Sequence, residues 1–341
     1  MKPLLSDTDA AIPKEAKRTD LLEGAYKELF FIRHPEIQKT DPSVPEKLRK
    51  FLSETEQKGV WAYYPWRNLA LRIPVEEIYT AIRSARNRNL ITEGEQSAFR
   101  ASVVGIAGLS VGSTTLTALV ATGGPKHIKI ADPDTLEISN LNRIRATLSD
   151  VGQNKSEIAA KNAWDVDPFL DLTIYSSGVT HDNQDDFFAG EPALNVFVDE
   201  MDNIAMKIRS RMVCRTHRIP VVMATDNGDG VIVDVERFDE EPDRELFHGR
   251  IHIEEKDVQS LDRTAFVKFA NEIIDVSFFS PRQGDSIRQI GKTLSGVPQL
   301  GTAAQLAGAA AAYVVRMILL KQPMPSGRYV LNPEEAFAKP L

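Results

Sequence analysis

Residues 103–113 read VVGIAGLSVGS, an apolar run of strand length followed at once by a turn of small residues and a helix-forming stretch. Small residues let backbone amides approach phosphate oxygens, and the N-terminus of a helix adds a partial positive charge. After the strand the loop has two glycines, Gly108 and Gly112, whereas a full dinucleotide fingerprint has three. The segment predicts a strand, loop and helix suited to phosphate, but the loop alone does not distinguish a nucleotide site from an ordinary glycine turn.

Outward from this loop, short apolar runs alternate with helix-period stretches from Gln96 onward. The strand candidates are Val103–Ala107, Ile128–Ala131, Leu172–Ser176, Val196–Asp199, Val221–Ala224 and Val231–Val235. The helix candidates are residues 112–123, 155–166 and 203–217. They are long enough for right-handed crossovers, so the alternation predicts the α/β class with a Rossmann-like, doubly wound, mostly parallel sheet. Turn-forming residues in Asp226–Gly230 predict a reversal into an antiparallel edge strand.

A change in the hydrophobic pattern near residue 86 predicts that the chain has two domains. Residues 1–85 are irregular, with a helix candidate near Pro45 to Glu56, and predict a small N-terminal α+β accessory region. An aromatic cluster at residues 61–66 is either local core or a peptide-binding surface, so this region is a possible peptide clamp. Residues 86–341 predict the main α/β domain.

Two segments of the main domain differ from the alternating pattern. A polar insertion at about residues 240–295 carries a helix candidate near Val258 to Val276, and such insertions commonly cover a site. The apolar stretch Thr302–Leu320 contains Gln305 and Arg316, which a bilayer core would penalise. We therefore predict a buried helix there.

Composition limits the classes of function. Of 341 residues, 42% are hydrophobic and 26% are charged, as in ordinary folded soluble proteins. The formal net charge of −7 gives no support for binding nucleic acid or an anionic membrane. Cys214 is the single cysteine, so no internal disulfide forms, which favours a reducing compartment. The N-terminus has no secretory signal pattern, and we expect a cytoplasmic protein.

Charged residues follow the predicted strands at positions suited to a triphosphate. Asp132 lies 132 − 108 = 24 residues beyond Gly108, where a carboxylate either accepts hydrogen bonds from a ribose or caps a turn. Arg143 and Lys155 supply cations that a triphosphate needs and a dinucleotide does not. Asp202 follows the fourth strand, where it either binds a phosphate-bridging Mg²⁺ or caps the next helix.

These motifs resemble those of the ThiF/MoeB/HesA adenylyltransferases and of the adenylation domains of ubiquitin-activating enzymes. The similar segments are DPDTLEISNLNR at 132–143, GQNK at 152–155, VDEMDN at 198–203 and, upstream, RNRN at 86–89. They correspond in that order to the family's ribose-and-phosphate segment, its V-G-x-x-K, its D-x-x-D-N and its R-x-x-R-Q. The resemblance covers roughly residues 86–237 and 296–320.

The resemblance implies one reaction, in which a substrate carboxylate attacks the α-phosphate of ATP, forms an acyl-adenylate and expels pyrophosphate. The substrate would be a protein or peptide with a free carboxylate, either a ubiquitin-like sulfur carrier or a ribosomal peptide that is being tailored. Arg88 would reach the nucleotide of a partner subunit, which implies a homodimer. The other implied roles are Gly108, Ser110 and Gly112 in the phosphate loop, Asp132 on the ribose, Asn140 orienting the nucleotide, Arg143 and Lys155 on the phosphates, and Asp202 on Mg²⁺.

Three departures from the family pattern matter. Ser110 and Val111 stand where the family has two adjacent glycines, so the same loop path requires φ below zero at both residues. No cysteine lies in residues 240–300, so we expect no thioester step, and Cys214 is expected to be inert. The paired Cys-x-x-Cys zinc ligands of many members are also missing.

Two other classes of function share part of the pattern. An NAD(P)-dependent oxidoreductase would use the strand, the loop and Asp132, but it has no role for Arg143, Lys155 and Asp202. A non-catalytic nucleotide-binding scaffold would be consistent with the altered glycine loop. Exchange of labelled pyrophosphate into ATP separates both classes from an adenylyltransferase.

Overall fold

The chain consists of two structural units. The computed structural model describes residues 2–253, 255–258, 269, 271–273 and 276–338. The first unit comprises Met1–Gln96 together with Ala163–Leu170, and the second comprises Ser97–Asn162 and Asp171–Leu341. The first unit therefore includes a short return segment from the middle of the chain. The helix predicted near Val258 to Val276 lies mostly outside the described residues.

The first unit combines a four-stranded sheet with three helices. Its strands are β1 (Leu4–Ser6), β2 (Lys17–Asp20), β3 (Gly59–Tyr64) and β4 (Leu69–Pro74), in the order β1-β3-β4-β2. β3 pairs antiparallel with β1 and β4, and β2 runs parallel to β4. Its helices are α1 (Leu22–Arg33), α2 (Val44–Glu54) and α3 (Glu76–Arg83). The sequence placed α2 near Pro45 to Glu56, in agreement with the structure.

The return segment, residues 163–170, supplies buried side chains to the first unit. Trp164 is fully buried, and its ring centroid lies 6.1 Å from that of Trp66. Phe169 joins a buried cluster with Ala62, Tyr64 and Ile73. Because these side chains are large and apolar, the segment adds to the hydrophobic stabilisation of this unit.

Seven strands form the sheet of the second unit. They are β5 (Val103–Ala107), β6 (His127–Ala131), β7 (Asp171–Tyr175), β8 (Val196–Asp199), β9 (Val221–Asn227), β10 (Gly230–Glu236) and β11 (Gly327–Leu331). Their order is β11-β10-β9-β8-β5-β6-β7, and all neighbours from β9 to β7 are parallel. Every residue of β5, β8 and β10 is buried, as expected for continuous apolar runs. The predicted Rossmann-like sheet is confirmed.

Helices connect and cover these strands. They are α4 (Glu93–Ala101), α5 (Val111–Ala121), α6 (Lys155–Val166), α7 (Gln184–Ala189), α8 (Ile204–His217), α9 (Glu255–Val258), α10 (Pro281–Ile287), α11 (Gly301–Leu319) and α12 (Pro333–Phe337). The three predicted crossover helices correspond to α5, α6 and α8. The last turn of α6 belongs to the return segment of the first unit.

The antiparallel reversal after β9 is present, but β10 is not the edge strand that the sequence predicted. β10 pairs with β9 on one side and with β11 on the other. The prediction was wrong because β11 comes from a distant C-terminal segment and leaves its residues Tyr329, Val330 and Leu331 exposed. A strand without a buried face has no alternating signal in the sequence.

Helix α11 is closely packed, as the prediction of a buried helix requires. By length and composition it is the one helix among the described residues that could cross a membrane, yet half of it is buried inside the second unit. At Gly308 an added Cβ would lie 2.1 Å from Thr114 Oγ1 on α5. Thr114 Oγ1 donates to the carbonyl of Ala304 over 2.8 Å, so the two helices are joined by a hydrogen bond as well as by contact.

Candidate functional site

The glycine loop leaves β5 through a backbone path that only glycine follows easily. Gly108 has φ +86°, and a Cβ there would lie 2.2 Å from the carbonyl oxygen of Glu200. Ser110, in contrast, has φ −75° and is the N-cap residue of α5, which begins at Val111. The non-glycine residues that replace the family's glycines therefore stand where φ is negative, and the loop needs no glycine there.

A cavity of about 490 Å³ opens beside this loop, at the carboxyl ends of β5, β6 and β8. Parallel α/β sheets bind their ligands at this edge. Five of the predicted site residues line the cavity together, namely Gly108, Ser110, Asp132, Lys155 and Asp202. All of them belong to the second unit.

Asp132 is buried and fastens the loop to the end of β6. Its Oδ2 accepts a hydrogen bond from the Leu109 amide, and its Oδ1 accepts one from the Asp134 amide over 2.8 Å. Burial raises the pKa of Asp132, and the two amide bonds oppose that rise. Both carboxylate oxygens thus hold the backbone of the loop, which is the second of the two roles predicted for Asp132; its contact with a ribose stays a prediction.

Lys155 is the first residue of α6, and it is held in the cavity by an acid that the sequence reasoning missed. Its Nζ lies 2.8 Å from Asp134 Oδ2, and its amide donates to the Asp134 carbonyl over 2.9 Å. The Lys155 side chain is only 10% exposed, whereas that of Asp134 is 61% exposed. The spacing Asp132-x-Asp134 at the end of a strand was the available signal, because both residues lie at the same sheet edge.

Arg143 lies directly behind the loop. Its Nε donates to Ser110 Oγ over 2.9 Å, and its Nη1 donates to Asn142 Oδ1 over 2.9 Å. Arg143 therefore fixes a residue that lines the cavity. Asn140 is buried, and its Oδ1 accepts from the Glu137 amide over 3.0 Å, which closes the short turn Ile138–Asn142.

Gly112 packs inside the unit instead of facing the cavity. A Cβ there would lie 2.8 Å from Ile106 Cγ2, so this glycine lets α5 approach β5. Arg88 belongs to the first unit, where its exposed side chain lines a separate cavity of about 710 Å³ with Arg86, Lys27 and Phe31. Within the second unit the structure thus brings the loop, Lys155 and Asp202 to one cavity, with Arg143 bonded to Ser110 behind it, whereas Gly112 and Asn140 pack into the unit.

The acids after β8 have three different environments. Asp199 is fully buried; burial opposes its ionisation, but Lys207 and Arg211 lower its pKa overall. Glu200 is a half-buried acid to which the sequence assigned no role of its own; it lines the cavity, accepts from the Ala224 amide over 2.9 Å, and has a pKa raised by burial. Asp202 is exposed.

The cap of α8 is Asn203, whose side chain accepts from the Met206 amide over 3.1 Å. Asp202 is therefore not needed as a helix cap. The residues that the structure describes contain no group of three or more His, Cys, Asp or Glu suited to a metal. Magnesium is commonly held by one or two carboxylates together with phosphate oxygens and water, so a single carboxylate such as Asp202 fits an ion that arrives with phosphates.

The single cysteine lies far from any reactive environment. Cys214 is fully buried within α8, and burial raises the pKa of its thiol. A nucleophilic cysteine needs a stabilised thiolate and access to its substrate. Cys214 has neither, in agreement with the expectation that it is inert.

Sheet order, glycine loop and cavity together define a Rossmann-like α/β protein with a ligand site at the carboxyl edge of its parallel strands. Comparison with known proteins makes this class specific. The family model described as ThiF family matches residues 84–336. The chain belongs to the ThiF family.

Two curated proteins and one solved structure are similar to this chain. The uncharacterized protein MT1398 of Mycobacterium tuberculosis is 37% identical over 274 residues, which are 80% of this chain and 38% of that protein. A probable molybdopterin-synthase adenylyltransferase of Porphyra purpurea is 28% identical over 116 residues, 34% of this chain and 29% of that protein. The chain thus spans less than half the length of these curated relatives.

A solved structure with a similar fold is that of Escherichia coli MccB with MccA-N7isoASN. It has a TM-score of 0.50 and 17% identity, and the match covers 91% of this chain and 84% of that one. At this identity the likeness concerns the fold. It extends over the length that includes most of both units.

Proposed function

We propose that this chain is an ATP-dependent adenylyltransferase that activates a carboxylate of a peptide or protein as an acyl-adenylate and releases pyrophosphate. The observation that carries the proposal is the convergence of Gly108, Lys155 and Asp202 on one cavity at the carboxyl edge of the sheet. A loop that presents backbone amides, a cation and an exposed carboxylate are the groups that a magnesium-bound triphosphate requires. Membership of the ThiF family supports the same reaction.

In this proposal the protein acts by positioning groups and offsetting charge. The substrate carboxylate forms a bond to the α-phosphorus, the bond to the bridging oxygen breaks, and pyrophosphate leaves with that electron pair. Lys155 would turn from Asp134 to the phosphates, while Arg143 would offset negative charge beside Ser110. Mg²⁺, when held by Asp202 and the phosphates, supplies further charge neutralisation for the leaving group.

A thioester step is not part of the proposal. The chain has one cysteine, and Cys214 is buried with a raised thiol pKa. The acyl-adenylate would therefore pass its acyl group directly to an external nucleophile.

Two substrates stay open within this function. One is a ubiquitin-like sulfur carrier, and the other is a ribosomal peptide that is being tailored. The likeness to MccB, whose structure holds MccA-N7isoASN, supports the second, because the match includes the N-terminal accessory region, the possible peptide clamp.

The experiment is exchange of labelled pyrophosphate into ATP by the full chain, driven either by a panel of short peptides with free carboxyl termini or by a β-grasp protein ending in Gly-Gly. We expect Arg143→Ala and Asp202→Ala each to lower the exchange about a hundredfold or more, because each removes charge stabilisation at the phosphates. Arg145→Ala is the matched control, since Arg145 is an exposed arginine two positions beyond Arg143.

Full exchange by both variants would refute the assigned roles. No exchange by the unaltered chain with any probe would refute the function and would favour an oxidoreductase or a non-catalytic scaffold. We also propose a homodimer in which Arg88 reaches the nucleotide of the partner subunit, as the family resemblance implies. Sedimentation velocity of the full chain tests the dimer.

A further inference from the structure

One half-buried acid at the carboxyl edge of the sheet has no part in the reaction described so far. Asp226 lies near the end of β9, the strand next to β8, whose end brings Glu200 and Asp202 to the cavity. Parallel neighbours end at the same edge of a sheet. The charge of Asp226 is among the influences that raise the pKa of Glu200, after the larger effect of burial. Asp226 therefore lies at the same edge of the sheet as the cavity, within electrostatic reach of Glu200.

A chain of hydrogen bonds joins Asp226 to Arg143. Arg143 Nη1 donates to Asn142 Oδ1 over 2.9 Å, and Asn142 Nδ2 donates to the Gln299 carbonyl over 2.8 Å. Gln299 Nε2 then donates to Asp226 Oδ2 over 3.1 Å. Burial raises the pKa of Asp226 to about 6, and the bond from Gln299 and the charge of Arg143 oppose this rise.

The carboxyl group of Asp226 has acceptor capacity that the fold does not use. Its Oδ1 is buried and has no hydrogen-bond partner within the described part of the chain. A carboxylate can accept about four hydrogen bonds, and Asp226 receives one from Gln299. Buried acceptors without a donor are uncommon and call for an explanation such as a missing ligand.

The side-chain amide of Gln299, which donates to Asp226, indicates which kind of donor fits beside this carboxyl group. The side chain of Gln299 ends in a primary amide, so its donor is chemically the same as a peptide N–H. Gln299 belongs to the segment just before α11, where the neighbouring Leu300 is 47% exposed. Gln299 already donates to Asp226 Oδ2, so a ligand that takes over this bond requires the side chain of Gln299 to move away.

We propose that Asp226 determines specificity by accepting the last amide N–H of a peptide substrate, and that the side chain of Gln299 occupies this place until the substrate arrives. The inference rests on the proposed adenylyltransferase function and narrows its substrate class. The terminal residue of a peptide carries its N–H and its carboxylate on one Cα, so it can address Asp226 and Arg143 together. A simple carboxylic acid has no N–H for Asp226.

The test compares two probes in the pyrophosphate exchange assay with the full chain. One is a short peptide with a free carboxyl terminus that supports exchange, and the other is its depsipeptide, in which an ester oxygen replaces the last amide N–H. We expect the unaltered chain to prefer the peptide in kcat/KM by about tenfold to a hundredfold, the range for a hydrogen bond to a charged acceptor.

The variants separate recognition from a structural role. Asp226→Ala is expected to abolish the preference by lowering kcat/KM for the peptide to the level of the depsipeptide. Asp226→Asn keeps a neutral acceptor and is expected to retain part of the preference. Gln299→Ala is expected to lower KM for the peptide, because no internal amide competes. Asp229→Ala alters an exposed acid of the same turn and serves as the control.

The outcomes distinguish the two proposals. A preference that survives Asp226→Ala, or exchange by the unaltered chain with no preference between the probes, overturns this inference and leaves the adenylyltransferase intact. A higher KM in Gln299→Ala also contradicts it, because Gln299 would then belong to the binding site. No exchange with any probe removes the proposed function and this inference with it.

Discussion

At the scale of the residue, Asp226 links stability to pH in a direction that can be measured. Its pKa is raised by burial from the ordinary value of 3.8 to about 6 in the folded chain. The stabilisation that this group contributes is therefore fully present below pH 3.8 and is lost as the pH rises through 6. Arg143 and Gln299 favour its ionised form but do not offset the burial.

Asp226→Asn removes this ionisation and keeps the bond from Gln299. We expect the free energy of unfolding to rise by about 3 kcal/mol at pH 7.5 and to be unchanged at pH 3.5, from the size of the pKa shift. Urea unfolding at the two pH values measures the difference, with Asp229→Asn as the exposed control. An equal gain at both pH values would contradict the link to ionisation.

Several site residues could be predicted from the sequence because their spacing reports their place in the fold. Asp132, Lys155 and Asp202 each follow a predicted strand or begin a predicted helix, and all three line the cavity. The contact between Gln299 and Asp226 could not be predicted, because the two residues are 73 positions apart and no periodic pattern connects them. Asn140 likewise matches a family motif, yet its side chain closes its own turn.

At the scale of the element, α11 can pack closely on α5 because Gly308 has no side chain. A methyl group there would lie 2.6 Å from the backbone carbonyl carbon of Thr114, which cannot move aside as a flexible side chain can. We expect Gly308→Ala to lower the free energy of unfolding by about 2 kcal/mol, the usual scale for overpacking.

Gly284 in α10 provides the matched control, because a Cβ there would meet no atom within 4 Å. Gly284→Ala should be neutral or should stabilise by up to about 1 kcal/mol through helix propensity. Thermal unfolding of both variants makes the comparison. Equal melting temperatures would show that the two helices separate without cost, contrary to the packing seen here.

The strands of the main sheet were predictable to within a few residues because each is a buried run of apolar side chains bounded by turn formers. β8 and β5 have the predicted bounds, and the other four predicted strands differ at their ends. β11 was missed because three of its five residues, Tyr329, Val330 and Leu331, are exposed. A buried strand requires a run of apolar residues, which can be recognised in a sequence. An edge strand with little burial has no such requirement, so its pattern is weak.

At the scale of the whole molecule, the first unit depends on residues that lie far from it in sequence. Residues 1–96 alone lack Trp164 and Phe169, which are buried in that unit. We expect the isolated fragment 1–96 to show no cooperative thermal transition, because small domains have little hydrophobic stabilisation to lose. Circular dichroism and the dispersion of amide proton shifts measure this.

The control is the same fragment joined through a flexible Gly-Ser linker to residues 163–170. This chimera should regain a cooperative transition and dispersed amide shifts. If fragment 1–96 unfolds cooperatively without the return segment, the assignment of those residues to its core is refuted. The sequence could not have shown that residues 163–170 belong to the first unit. Residues 155–166 have one continuous helical pattern, which does not indicate a change of unit.

The sharing of α6 also bears on how such a protein arises. A gene fusion that adds a module at one end needs a single junction, but here one unit is interrupted by part of the other. No single recombination point would transfer the accessory unit intact. We therefore expect the two units to have been inherited together, with residues 163–170 present wherever the accessory unit is found.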